Sequence, residues 1–152
     1  MGAPPLVVPA DWESVGSTSN TEYKTKVGAR DILIVLPHAG LRDDGRSARE
    51  NADFQIQYSE AQGRPCAVIV LLGSLMSQDA EARRIYAASM VPAHFFAASL
   101  VVTSAISRAI GSFFLGLSRP HVPTKMWPDF TTAIAWAESV RPRPASPQPE
   151  AS

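Results

Sequence analysis

The chain has one cysteine, Cys66, and three histidines, His38, His94 and His121, scattered over 152 residues. A lone thiol cannot close an internal disulfide, and histidines this far apart lack the spacing of a Cys/His zinc site, so no structural metal is expected. Charge is also scarce: 18% of residues are charged, and 14 basic side chains balance 14 acidic ones. Without a global positive field, a nucleic-acid partner is not expected. Neither G-x-x-x-x-G-K-[ST] nor G-x-G-x-x-G occurs, which argues against a nucleotide cofactor, and no other cofactor is expected. G-x-S-x-G, the strained turn that exposes a hydrolase serine, is missing as well. The apolar patch Leu6 to Val8 falls short of the roughly 7–15 apolar residues in a signal-peptide core. With the unpaired thiol, this leads to an expectation of cytoplasmic residence.

What is present is 45% hydrophobic residues, enough to bury the core of one domain. Residues 1–20 hold three prolines and a run of small polar residues and read as a loose arm. Residues 141–152, with four prolines in twelve positions, read as a disordered tail. The expected domain spans residues 21–140. Within it, Thr21 to Val27 alternates polar and apolar residues and Asp31 to Leu36 is almost wholly aliphatic, which predicts a hairpin turning near Gly28. From Arg42 to Gln62, Ala48, Ala52 and Ile56 recur every four residues, with Phe54, Tyr58 and Ala61 widening the face, and Gly63 closes a helix. The uncharged run Cys66 to Leu72 predicts a strand buried on both faces.

Ser77 precedes a stretch rich in Ala, Glu and Arg with Asp79 and Glu81 near its start, which predicts a helix capped by Ser77 and ending near Met90. Phe95 to Thr103 predicts a fourth strand, followed by a helix whose apolar stripe is Ile106, Ala109, Ile110, Phe113, Phe114 and Leu117. Val122 to Trp127, with Pro123, suits an edge strand. Asp129 caps a last helix in which Phe130, Ala133, Ile134 and Ala137 face one way. Residues 90–107 contain no Asp, Glu, Lys or Arg, but Pro92, His94 and several hydroxyls interrupt them and Arg108 follows, so a strand leading into an amphipathic helix explains them better than a membrane span. Alternating strands and helices predict an α/β fold: a single mixed, mostly parallel sheet with helices packed on it.

In open sheets of this class, ligands and reactive groups gather at the carboxyl ends of the strands. That rule selects His38, the segment Gly73 to Ser77 with Ser74 and Ser77, then Thr103, Ser104 and Asp129. His38, a serine and an aspartate on one edge could form a hydrolytic triad, although cap and turn roles are the simpler reading. Cys66 is read as inert packing, His94 as a core-edge residue, and Trp127 and Trp136 as either packing or a contact surface.

The element order, the serine-bearing loop after Cys66–Leu72 and the closing stretch PDFTTAIAWAESV, with its Ala133/Trp136 pair, together resemble the STAS-like (SpoIIAA-like) domains. The lipid-carrying CRAL-TRIO domains are wider fold neighbours of that family. The resemblance implies a non-enzymatic switch that binds a protein partner, with Ser74 or Ser77 in the place of the regulatory serine, and the loop Gly73 to Gln78 with the helix that follows it is expected to be the contact surface. The loop reads LLGSLM where that family carries D-S-x-G. A lipid-binding, membrane-peripheral module is the first alternative, and a small serine hydrolase the second. The excess of Arg over Lys suggests a GC-rich bacterial genome.

Overall fold

A computed structural model describes residues 11–72, 75–118 and 121–142. The main sheet is built from β1 (Trp12–Ser17), β2 (Thr21–Lys26), β3 (Ala29–Pro37), β5 (Cys66–Leu71), β7 (Phe95–Val101) and β8 (Thr124–Trp127), side by side in that order. β2 runs antiparallel to both of its neighbours, β1 and β3, and β3, β5, β7 and β8 are parallel. Two short strands, β4 (Leu41–Asp43) and β6 (Leu75–Gln78), pair in parallel as a separate sheet. The helices are α1 (Gly45–Gln62), α2 (Ala80–Ser89), α3 (Ala105–Ser118) and α4 (Phe130–Ser139). The fold is therefore α/β, with one mixed and mostly parallel sheet carrying helices, as the alternation of the sequence implies.

Because a strand's side chains alternate between its two faces, the central strands feed two cores. One face carries Ile32, Ile34, Ala67, Ile69, Ala97 and Val101, covered by Phe130, Ala133 and Ala137 of α4, with Trp12 edge-on to Phe130 at 5.0 Å between ring centres. The other carries Leu33, Val35, Val68 and Ala98, covered by Phe54, Ile56 and Tyr58 of α1 and by Met90 at the end of α2. Asp31, 4% exposed in its side chain, is held by Arg141 through two hydrogen bonds of 2.6 and 3.0 Å. Arg141, expected to begin a free tail, thus anchors the chain beyond α4.

Several expectations are corrected. Residues 12–17, read as part of the loose arm, form the edge strand β1; its apolar residues, Trp12 and Val15, pack on opposite faces and so show no one-sided alternation. The helix expected from Arg42 starts at Gly45, because residues 41–43 pair with β6; Asp44 is its cap, accepting from Ser47 N at 2.9 Å. Ser77 does not cap α2. Pairing of β6 keeps the chain extended through Gln78, Asp79 N donates to the Asp43 carbonyl at 3.0 Å, and the Asp79 carboxylate accepts from Ala82 N at 2.8 Å. Ala61, placed on the buried face of α1, is exposed. Residues 90–107 are a turn, a buried strand and the first turn of α3, and no described helix is long and apolar enough to cross a membrane. The stripe from Ile110 to Leu117 lies on α3, but its side chains fall outside the described set.

Candidate functional site

Strand order in the main sheet follows chain order, so no topological switch point opens a crevice. A pocket nevertheless forms over the carboxyl half of the parallel strands. Its floor is Val35 of β3, Val68 and Val70 of β5, Leu72 just beyond it, and Ala98 and Leu100 of β7, residues two apart along each strand and hence on one face. Asn51 and Gln55 of α1 and Tyr86 of α2 form the wall with Met90, and Asp43 and Gln78, paired in register between β4 and β6, close one end. The cavity measures about 80 Å³.

The polar end is a connected network. Asp43, 6% exposed, accepts from Ser47 Oγ on one oxygen and from Tyr86 OH at 2.6 Å and Gln78 Nε2 at 3.5 Å on the other. Beside it, Asn51 Oδ1 accepts from Tyr23 OH and Thr18 Oγ1, each at 2.7 Å, while Asn51 Nδ2 donates to Asn20 Oδ1 at 2.9 Å and to the Ser47 carbonyl at 3.0 Å. Gln55 Nε2 donates to Tyr23 OH at 3.3 Å. Burial, then the negative charge of Asp43 and the hydrogen bond to it, push the Tyr86 phenol well above its ordinary range; burial does the same to Tyr23, with the charges of Asp43 and Glu50 adding to it. Both hydroxyls therefore remain protonated donors at neutral pH.

Of the sequence-selected residues whose side chains are described, Gln78 lines this pocket and His38, Ser104 and Asp129 do not. His38 sits exposed on the turn after β3, its backbone N–H bonded to the Asn20 carbonyl at 2.9 Å. Ser104 precedes α3, exchanging hydrogen bonds with Ser107, and Asp129 caps α4 by accepting from Thr132 N at 2.7 Å. These three stand on separate loops, each engaged locally, and no hydrogen bond joins them. Ser74 lies outside the described residues; Ser77 contributes its backbone to β6, and its side chain is outside the described set. Cys66 is buried, its thiol pushed up to about 11 by burial and then by the Asp31 charge. Trp127 and Trp136 pack against each other at 5.6 Å on the opposite side of the sheet, with Lys125 Nζ 5.4 Å from the centre of the Trp136 ring.

Asp43, Asn51, Gln55 and Tyr86 were not among the sequence-selected residues. The signal lay in α1, where Asn51, Gln55 and Ser59 repeat every four residues alongside Ala48 and Ala52, so that polar groups share the buried stripe. Buried amides at core spacing imply internal hydrogen bonds.

Residues 29–141 match the family described as Domain of unknown function (DUF7793). No curated protein and no solved structure matches the chain. The matched segment begins at β3 and contains the pocket floor, Asp43, Asn51, Gln55, Gln78 and Tyr86; Thr18, Asn20 and Tyr23 lie before it.

Proposed function

We propose that this chain, which belongs to the DUF7793 family, is a non-enzymatic regulatory domain that takes a small ligand into the pocket over the carboxyl half of its sheet and passes the binding signal to a protein partner through β6 and α2. The cavity carries the reading. Packed interiors contain few voids larger than a water molecule, and small-ligand sites are concave, mainly apolar, with a few convergent polar groups, as here. The coupling runs through Gln78, which lines the pocket and ends the segment, Gly73 to Gln78, expected to contact the partner. A ligand favouring one arrangement of that segment would bias the partner surface by its difference in affinity for the two arrangements.

The lipid alternative is less favoured by the size of the cavity, which at about 80 Å³ is smaller than an acyl chain of membrane length. The hydrolase alternative is less favoured by His38, Ser104 and Asp129 standing apart, with the latter two engaged in helix capping.

The test is ligand-observed NMR with a library of small fragments, run on the native chain and on Ala98→Met, which extends a floor residue into the cavity. Fragments that bind the native chain should lose binding to Ala98→Met at unchanged helical content. Equal binding by the two proteins would remove the pocket from the functional account.

A further inference from the structure

We infer that the pocket selects a protonated amine on a compact hydrocarbon body, an inference that rests on the ligand-binding role proposed above. The hydrogen-bond inventory of the lining leads to it. A hydroxyl has one proton to give, and those on the pocket lining are already given: Thr21 Oγ1 to Asn20 Oδ1 at 2.9 Å, Thr124 Oγ1 to the Val122 carbonyl at 3.0 Å, and Tyr86 OH to Asp43 at 2.6 Å. Asn51 Nδ2 spends both its hydrogens on Asn20 and Ser47. The donors that remain are the second amide hydrogens of Gln55 and Gln78, and both groups are neutral.

Acceptor capacity, in contrast, is in surplus. A carboxylate offers about four lone-pair sites, and Asp43 receives donors from Ser47, Tyr86 and Gln78. Those donors are neutral, Asp43 is 6% exposed, and none of the ion pairs among the described residues includes it. An anion buried among neutral donors gains most from a cation that also donates hydrogen bonds, the charge-assisted pairing that exceeds neutral ones in strength. An anionic ligand would meet the Asp43 charge instead. The aliphatic floor, including Val35, Val70 and Leu100, and the cavity volume of about 80 Å³ set the body: a short, branched hydrocarbon and not a long chain.

The experiment titrates 3-methylbutylamine, 3-methylbutan-1-ol and 3-methylbutanoate, which share one hydrocarbon skeleton, into the isotope-labelled full chain at pH 7 and follows backbone amide shifts. The amine should bind the pocket about tenfold or more tighter than the alcohol, as expected for replacing a neutral hydrogen bond with a charge-assisted one, and the carboxylate should bind weakest. Asp43→Asn should bring the amine down to the alcohol's affinity while leaving the alcohol unchanged. If that variant does not fold, the comparison on the native chain decides alone. Equal binding of amine and alcohol, or preference for the carboxylate, would overturn the amine assignment and leave the ligand-binding role standing. No shift at pocket-lining residues with any of the three at tens of millimolar would overturn both.

Discussion

Replacing Asn51 with alanine tests whether the polar wall is a connected unit or a set of separate contacts. The substitution removes the acceptor of Tyr23 OH and Thr18 Oγ1 and the donor to Asn20 and to the Ser47 carbonyl. Thr18 and Asn20 are half-buried and can turn to water, whereas Tyr23 is 0% exposed and its hydroxyl keeps only the backbone carbonyl of residue 51, at the long distance of 3.5 Å. Stranding one buried hydroxyl costs about 1–3 kcal/mol, and the bonds that water can replace cost about 0.5 kcal/mol each. The better helix propensity of alanine returns about 0.5 kcal/mol. The net expectation is a loss of about 3 kcal/mol, or roughly 6–12 °C in melting temperature for a domain of this size. Tyr23→Phe alone should cost only about 1 kcal/mol, because Asn51 Oδ1 keeps Thr18 as a donor. In the Asn51→Ala background the same Tyr23→Phe change deletes the stranded hydroxyl and should be neutral or stabilising. Urea unfolding of the four proteins forms a double-mutant cycle with an expected coupling of about 1–2 kcal/mol. Additivity within about 0.3 kcal/mol would refute the reasoning, since it would mean that the hydroxyl finds another acceptor when Asn51 is gone.

Gly16 has φ +142°, and a Cβ there would lie 2.9 Å from the Phe54 ring, which is stacked on Tyr23 and cannot easily retreat. Gly16→Ala should cost about 2–3 kcal/mol by urea unfolding, against about 1 kcal/mol for Gly28→Ala, whose φ is also positive but whose Cβ meets nothing; equal costs would remove the ring contact from the explanation. The Cys66 thiol, raised from 9.0 to about 11, favours the protonated form in the folded state. Its contribution to stability is therefore complete below pH 9 and lost as pH rises toward 11. Iodoacetamide labelling at pH 8 should be slow and governed by unfolding, and Cys66→Ala should flatten the alkaline part of the stability curve; fast labelling of the native protein would contradict the assigned burial.

Five strands were legible in the sequence: Asp31 to Leu36, Cys66 to Leu72 and Phe95 to Thr103 by the apolar runs that burial on two faces demands, Thr21 to Val27 by its alternation, and Val122 to Trp127 as an edge strand with Pro123. β1 was illegible because an edge strand with two apolar residues on opposite faces satisfies no simple period, and β4 and β6 are too short to show one. The Ser77 cap was misplaced by two residues for the same reason: without knowledge of the β4–β6 pairing, nothing shows that the chain remains extended to Asp79. Asp129 as a cap was correctly legible, since it stands directly before a helical apolar stripe. The pocket's polar wall was hidden because the helix reading weighed α1 by its hydrophobic residues alone, and the amides that shape the cavity share the same buried stripe.

The strand order carries a consequence for how the protein is made. Each strand of the main sheet lies beside the one that precedes it in that sheet along the chain, so pairing can advance strand by strand in the direction of synthesis. The pocket side gains α1, α2 and α3 along the way, whereas the face with Ile32, Ile34, Ile69 and Val101 waits for α4, the last of the described helices. A nascent chain stopped before Phe130 would hold a nearly complete sheet with one bare aliphatic face, the kind of surface on which partly folded chains associate. α4 thus closes this face only after the sheet has been made, and the Arg141–Asp31 pair just beyond it ties the helix to the start of the first parallel strand.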